Sequence, residues 1–432
     1  SEAQKRHYVE KGRKDIIKAT NEIVKLIKQD TPMAVSDFEK FTNIYKNYVI
    51  VIMEDKEKYI YKTEPYQHQR QALNKGAKLK NFAYFMEMGT GKTKVAIDNA
   101  SYLFQTKAIH VVIVIAPNSV YQNWVKEIET HCPIKDYNMF VHKVDKKFIY
   151  QPDKLNFYLI NVEAFSHQSG TQALMPILLN LGRYSMMILD ESTTIKNREA
   201  KRTKAICKLG TMVEYKRILT GSPITKSPLD LYTQCGFLDE DLLGFSSYYA
   251  FRSRYAHMIE RNFGGRRVQI VKSYQRLDEL SKLIEPFSYR VLKEDCLDLP
   301  EKVYTKREIE LTDEQEKLYS TMKQMALASL NGKTLTAPNV LTQLMRLHQI
   351  TCGHFKSNEG EVQEIKNNRI DELLAILEEI EGKAIIWANY VYDIERIVEA
   401  IKKQYGDNSV VEYYGAISTD ERQKNIERFQ NP

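Results

Sequence analysis

Between Pro65 and about residue 220 the chain alternates short apolar runs with stretches long enough to be helices, and no other feature limits the fold as much. The runs are Phe82–Phe85, Ile109–Ala116, Phe157–Asn161, Ser185–Leu189 and Arg217–Thr220, with ten or more helical residues between most of them. A strand that is apolar without alternation is buried on both faces, and helical crossovers join such strands in parallel. The pattern therefore predicts an α/β fold with a parallel sheet covered by helices on both sides. A second α/β stretch begins near Val303, with strands expected at Tyr304–Leu311, Ala384–Ala388 and Val410–Tyr414. At roughly 150 residues per domain, 432 residues leave room for two or three domains.

Boundaries follow from changes in pattern. Residues 1–63 read as a small α+β accessory module: an amphipathic helix over Lys5–Gln29, a capping box at Ser36 and Glu39, and a hairpin from Tyr48–Met53 and Lys58–Tyr61. The module carries no recognisable chemistry; its helix is expected to bury its apolar face against the first lobe, with a protein partner on that face as the alternative. The first α/β lobe spans residues 64–291, and its last part, about 221–291, reads as a mostly helical insertion. Within that insertion Asn262-Phe263-Gly264-Gly265 signals a hairpin. A linker over residues 292–302 carries Leu299-Pro300 and four acidic side chains, and the second lobe occupies residues 303–432.

Composition excludes several classes. The longest apolar run, near Val111–Ala116, falls far short of the roughly 20 residues that span a bilayer. No basic-then-apolar signal stretch opens the chain. The five cysteines are scattered and never form Cys-x-x-Cys, which argues against a disulfide framework and a zinc site. His110, His131 and His348 have no partners at metal-ligand spacing. The expectation is a protein of a reducing compartment, cytoplasmic, or nuclear in a eukaryote, with no membrane contact and no secretion. A net charge of +7 permits a polyanionic partner without establishing one.

The strongest local signal is FMEMGTGKT, Phe85 to Thr93, which follows one strand candidate and opens a helical stretch. In that context glycines at 89 and 91 let backbone N–H groups around Thr90 close on a phosphate, and the helix N-terminus adds favourable partial charge. Lys92 would neutralise the β and γ phosphates, and the Thr93 hydroxyl would hold Mg²⁺. Met86 stands where the usual pattern has its first glycine, so the match is to Gly-x-Gly-Lys-Thr. A second signal, MMILDESTTIKN, puts Asp190 and Glu191 at the carboxyl end of a buried strand, where open α/β sheets bind ligands. An NTPase needs one carboxylate for the Mg²⁺ shell and one to orient and deprotonate water. Asp190 and Glu191 suit those roles in that order.

With these motifs in order, the chain resembles the Swi/Snf-type DNA translocases of the superfamily-two helicases. PYQHQRQAL (Pro65–Leu73) is similar to the adenine-reading segment, with Gln67 as the base contact. VIVIAPNSVYQNWVKEI (Val112–Ile128) resembles motif Ia, with Asn118 expected on the nucleic-acid side and Trp124 packing its helix on the sheet. DESTTIKN carries the Ile-Lys-Asn tail of the family. RILTGSPITKSPLDLYTQCGFLD (Arg217–Asp239) resembles motif III and its continuation. LIEPFSYRVLKEDCLDLPEK, LTDEQEKLY, LMRLHQITCG and AIIWANYVYDIERI follow in family order, and the resemblance covers about residues 64–430.

The resemblance implies two RecA-like parallel-sheet lobes, the second incomplete, with ATP and Mg²⁺ in the inter-lobe cleft and double-stranded DNA as partner. It implies that Thr220, Gly221 and Ser222 sense the γ-phosphate. Thr193 stands where the family's box commonly has His, so lobe coupling would run through its hydroxyl. Lys196, Asn197, Arg266 and Arg267 are expected to meet nucleic acid, although the two arginines equally suit a solvated hairpin tip and Asn197 a helix start. The motif order reaches Pro432 before motifs V and VI, where the family keeps its arginine fingers, so weak turnover is expected of this chain by itself. A strand-separating DNA or RNA helicase shares the same motifs. A nucleotide-gated binding fragment without turnover is the remaining alternative.

Overall fold

In a computed structural model, residues 59–431 are described apart from 119, 144–145, 264–265, 299, 332–336 and 357–360. The helix, capping box and first hairpin strand expected before residue 54 lie outside the described residues. Tyr59–Tyr61, expected in the second hairpin strand, belongs to no strand. The chain divides into two compact units, the first ending at Pro300 and the second starting at Glu301.

The first unit is built on seven strands: β1 (Asn81–Met86), β2 (Val111–Ala116), β3 (Tyr137–Val141), β4 (Leu155–Asn161), β5 (Ser185–Asp190), β6 (Tyr215–Leu219) and β9 (Ser288–Val291). Their order is β3-β4-β2-β5-β6-β1-β9, and every pairing is parallel. Period-two geometry sorts each strand between two cores. Ala83 and Phe85 of β1 and Ile113 and Ile115 of β2 pack on one face, with Leu174 and Leu178 of α4 (Ser169–Leu181), Ile206 of α5 (Lys201–Gly210) and Phe237 of α6 (Asp230–Leu238). Phe82, Tyr84 and Met86, with Val112 and Val114, pack on the other. There they meet Ala72 of α1 (Gln67–Gly76), Ile97 of α2 (Lys92–Gln105) and Trp124 of α3 (Tyr121–His131). Double-sided cover explains why these strands read as unbroken apolar runs.

Two strands escape the sequence pattern. β3 has every residue only half-buried, and β9 has four residues with just two buried, so neither shows a long apolar run. β9 nevertheless pairs with β1 from Ala83↔Ser288 to Met86↔Val291. The end of the expected insertion therefore returns to the sheet and forms its edge. The insertion is also less helical than expected. After α7 (Tyr248–Tyr255) come a long antiparallel ribbon, β7 (Ala256–Phe263) and β8 (Arg266–Tyr274), and then α8 (Leu277–Ile284).

The second unit contains α9 (Asp313–Asn331), α10 (Ala337–Cys352), α11 (Arg369–Glu379), α12 (Val391–Tyr405) and α13 (Thr419–Gln430). Its described strands are β10 (His354–Lys356) and β11 (Val362–Glu364), which form a short antiparallel pair. The strands expected at Tyr304–Leu311, Ala384–Ala388 and Val410–Tyr414 do not form among the described residues. Val303, Tyr304 and Trp387 are 83%, 87% and 91% exposed. Parallel pairing depends on apolar cover over both faces, and these segments lack it here.

Candidate active site

The carboxyl ends of β5, β6 and β1 lie side by side because the three strands are parallel neighbours. The sequence-predicted residues Gly89–Thr93, Asp190–Glu191 and Thr220–Ser222 are the segments that leave those three ends, so chain reversals far apart in sequence meet at one edge of the sheet.

The loop from β1 to α2 is shaped by its glycines. Gly89 and Gly91 both have φ of +84°, a conformation that favours residues without a Cβ. The loop is also clamped from outside. His68 Nε2 and Gln69 Nε2 both donate to the Thr90 carbonyl, at 2.8 and 3.0 Å. Gln69 Oε1 accepts from Tyr66 N at 3.0 Å, so one amide caps α1 and holds the loop. A Cβ on Gly91 would sit 2.2 Å from Gln69 Nε2. Thr90 Oγ1 closes the turn by donating to Glu87 O at 2.8 Å. Gly221 lies against the same loop, where an added Cβ would come 3.1 Å from Met88 N.

Lys92, the first residue of α2, reaches across to β5. Its Nζ lies 3.2 Å from Glu191 Oε1, and their side chains are 12% and 30% exposed. Thr220 Oγ1 donates to Glu191 Oε2 at 3.4 Å and accepts from Ser222 N at 3.2 Å. Glu191 has φ of +49°, a left-handed position costing a non-glycine residue about 1–2 kcal/mol. Such strain concentrates at functional sites.

Asp190 is 1% exposed, and burial pushes its carboxyl above the usual aspartate range. Trp124 Nε1 opposes this shift by donating to Oδ2 at 2.9 Å, while Oδ1 accepts from Glu191 N at 2.9 Å. Trp124 thus does more than pack a helix. A buried indole N–H needs an acceptor, and that requirement was the signal available in the sequence. His68 and Gln69 were likewise missed, since nothing in their spacing distinguishes a loop clamp from a helix face. Behind the carboxylates, Ser192 Oγ donates to Gln234 Oε1 at 2.6 Å, and Gln234 Nε2 donates to Pro223 O at 2.8 Å.

The remaining expected residues are dispersed. Gln67 is exposed at the start of α1, and Asn118 is exposed after β2. Thr193 is half-buried in the turn Ser192–Ile195. Lys196 Nζ donates to Thr225 Oγ1 at 2.8 Å. Asn197 spends its side-chain oxygen on Glu199 N at 3.0 Å, in an Asx turn. Arg266 and Arg267 stand on β8 of the ribbon, paired with Phe263 and Asn262.

Fold and site together define the class: an α/β domain of RecA type with a glycine-rich loop facing an acidic strand end. The family is then given by comparison. The model of the SNF2-related domain matches residues 68–356, and the chain belongs to that family. Its relatives include a Bacillus subtilis protein provisionally named ATP-dependent helicase/translocase YwqA, 27% identical over 80% of this chain and 37% of that protein. The Arabidopsis thaliana ISWI chromatin-remodeling complex ATPase CHR11 is 24% identical over 80% of this chain and 32% of its own length. The chain thus spans about a third of the length of the curated relatives it matches. Among solved structures, the Sulfolobus solfataricus SWI2/SNF2 ATPase core in complex with dsDNA is similar. It has a TM-score of 0.46 and 25% identity, and the match covers 87% of this chain and 77% of that one. No helix among the described residues is long and apolar enough to cross a membrane.

Proposed function

We propose that this chain is the motor core of an ATP-dependent translocase on double-stranded DNA. The observation that carries the reading is the convergence of Lys92, Glu191 and Thr220 within 3.2–3.4 Å contacts at one sheet edge. In this reading Gly89, Thr90 and Gly91 wrap the phosphates, Lys92 neutralises them, and Gln67 meets the base. Glu191 orients and deprotonates the attacking water. Thr220, Gly221 and Ser222 register the γ-phosphate, and Thr193 relays its loss.

Mg²⁺ fits the donor set. Thr93 offers a hydroxyl, and Asp190 offers a carboxylate whose burial outweighs the attraction of Lys92. A divalent ion would relieve that burial cost. Held there by Thr93 and Asp190, it would supply positive charge to neutralise the charge that develops on the phosphates. DNA would be held mainly through its phosphates, with Asn118, Lys196, Asn197, Arg266 and Arg267 as first candidates. The SNF2-related family and a relative named as a chromatin-remodeling ATPase support the assignment.

The test is steady-state phosphate release with and without duplex DNA, beside nucleotide binding. Glu191→Gln should bind ATP yet lose about 100-fold or more in turnover, the scale of a general base. Parent-like turnover by this variant refutes the base assignment. Absence of stimulation by duplex DNA in the parent chain refutes the translocase reading.

A further inference from the structure

The β7–β8 ribbon joins the core only at its base. Met258 and Val271, a cross-strand pair, pack against the first unit's core together with Tyr274. Beyond them the ribbon continues through residues 259–263 and their partners; past Gln269, which Arg252 of α7 holds, about 10 Å remains at about 3.4 Å per residue. Lys272 is the extra residue at a bulge: His257 pairs with Ser273 and Met258 with Val271. Bulges of this kind increase local twist.

Charge on the ribbon is one-sided in sign but two-sided in space. Arg261, Arg266, Arg267 and Lys272 face a single acidic residue, Glu260. Arg261 pairs with Val268 in the ladder and Arg267 with Asn262. Adjacent rungs point to opposite faces, so the two arginines lie on opposite sides of the ribbon. Arg261 and Lys272 are exposed and have no carboxylate partner among the described residues. Arg267, 77% exposed, has only Glu260 at 3.9 Å, beyond hydrogen-bond reach. A flat polyanion would need basic residues on one face. A groove with a phosphate wall on each side calls for both.

The ribbon is also tied to the loop that leaves the acidic strand end. Arg252 of α7 donates through Nη2 to Gln269 of β8 at 3.1 Å and lies 5.2 Å from the centre of the Tyr249 ring. Arg198, the residue after Asn197, stacks over Tyr248 and Tyr249 with its guanidinium carbon 4.5 and 5.0 Å from their ring centres. Lys196 and Asn197 thus connect to the ribbon through a cation–aromatic stack.

We propose that the β7–β8 ribbon is a duplex-DNA finger that enters a groove and engages phosphates on both walls. The proposal rests on the double-stranded DNA reading above. The major groove of B-DNA, about 12 Å wide and 8.5 Å deep, admits a two-stranded β-ribbon, and the projecting length suffices to reach into it. Arg198 and Arg252 are positioning residues that fix the base of the finger relative to the Lys196–Asn197 loop.

The experiment measures duplex affinity against salt for the whole chain and for Arg261→Ala/Arg267→Ala. Each phosphate contact contributes about 0.9 to the slope of log K against log salt. The double variant should therefore lose about 1.8 from the slope and bind roughly thirty-fold more weakly near 0.15 M salt. Arg261→Lys/Arg267→Lys should recover most of both, because charge rather than shape is the requirement. An unchanged melting temperature certifies that the variants fold. A parent-like slope and affinity in a folded alanine variant overturn the proposal. An equal loss on single-stranded DNA overturns groove entry. If the parent itself binds no duplex, the failure lies with the translocase reading.

Discussion

Arg217 opens the segment that resembles motif III, and the fold buries it completely, at 0% exposure. All five of its N–H groups are used. Nε donates to Asn99 Oδ1 at 2.7 Å, and Nη1 donates to Lys80 O and Lys216 O, both at 2.8 Å. Nη2 donates to Gly76 O at 3.1 Å and to Leu79 O at 2.7 Å. One side chain thereby ties the end of α1, the turn into β1, β6 and the middle of α2, at the amino-terminal end of the strands. Burial pulls its pKa below the usual guanidinium value, so the hydrogen bonds must offset a desolvation cost.

Arg217→Met keeps much of the volume and removes every donor. Gly76 O and Lys80 O each retain a backbone donor, Leu79 N and Lys216 N. Leu79 O loses its donor, and an unpaired carbonyl that is only part-buried costs about 1 kcal/mol, the low end of the range for orphaned groups. Loss of the other four bonds adds a comparable amount, less the desolvation cost recovered. The expected destabilisation of the first unit is about 2 kcal/mol, or a fall in Tm of roughly 4–8 °C. Denaturant titration followed by tryptophan fluorescence reads this selectively, because Trp124 is fully buried while Trp387 is 91% exposed. Arg217→Lys, with three donors, should fall between parent and Met variant. A loss below about 0.5 kcal/mol in Arg217→Met would show that the network contributes nothing net, and would refute the reasoning.

Two further outcomes follow from the site. Gly91→Ala forces a side chain into a left-handed position and against Gln69, a strain of about 1–3 kcal/mol; titration with Mg·ATP should show affinity about ten-fold or more weaker, and parent-like affinity would sink the clamp. Asp190→Asn probes the buried carboxylate: ionising Asp190 costs stability as pH rises through its raised pKa, so without nucleotide the variant's Tm advantage should be absent at acid pH and grow toward neutral. An advantage greatest at acid pH would reverse that sign.

The chain's alternation of apolar runs and helical stretches made the parallel sheet legible, because a strand covered on both faces has nowhere to put a polar residue. The glycine-rich loop and acidic strand end were legible for a related reason: backbone geometry at such a loop restricts the residues that can stand there. β3 and β9 stayed hidden, since strands with little burial carry little pattern. The three strands expected in the second unit show the converse. Their β-favouring residues are present, but propensity makes no ladder without neighbours and cover.

The sequence by itself therefore determined the glycine-rich loop, the two carboxylates at a strand end, the sheet's apolar strands and the family order of motifs, all properties written in local residue type and spacing. Tertiary structure alone decided that Trp124 holds Asp190, that Gln69 and His68 clamp Thr90, and that Arg217 is a buried tie rather than a surface charge. It also decided that basic side chains occupy both faces of one projecting ribbon. Each of these joins residues from separate elements, and which side chains meet is set by strand order and packing, to which the spacing of residues along the chain is blind.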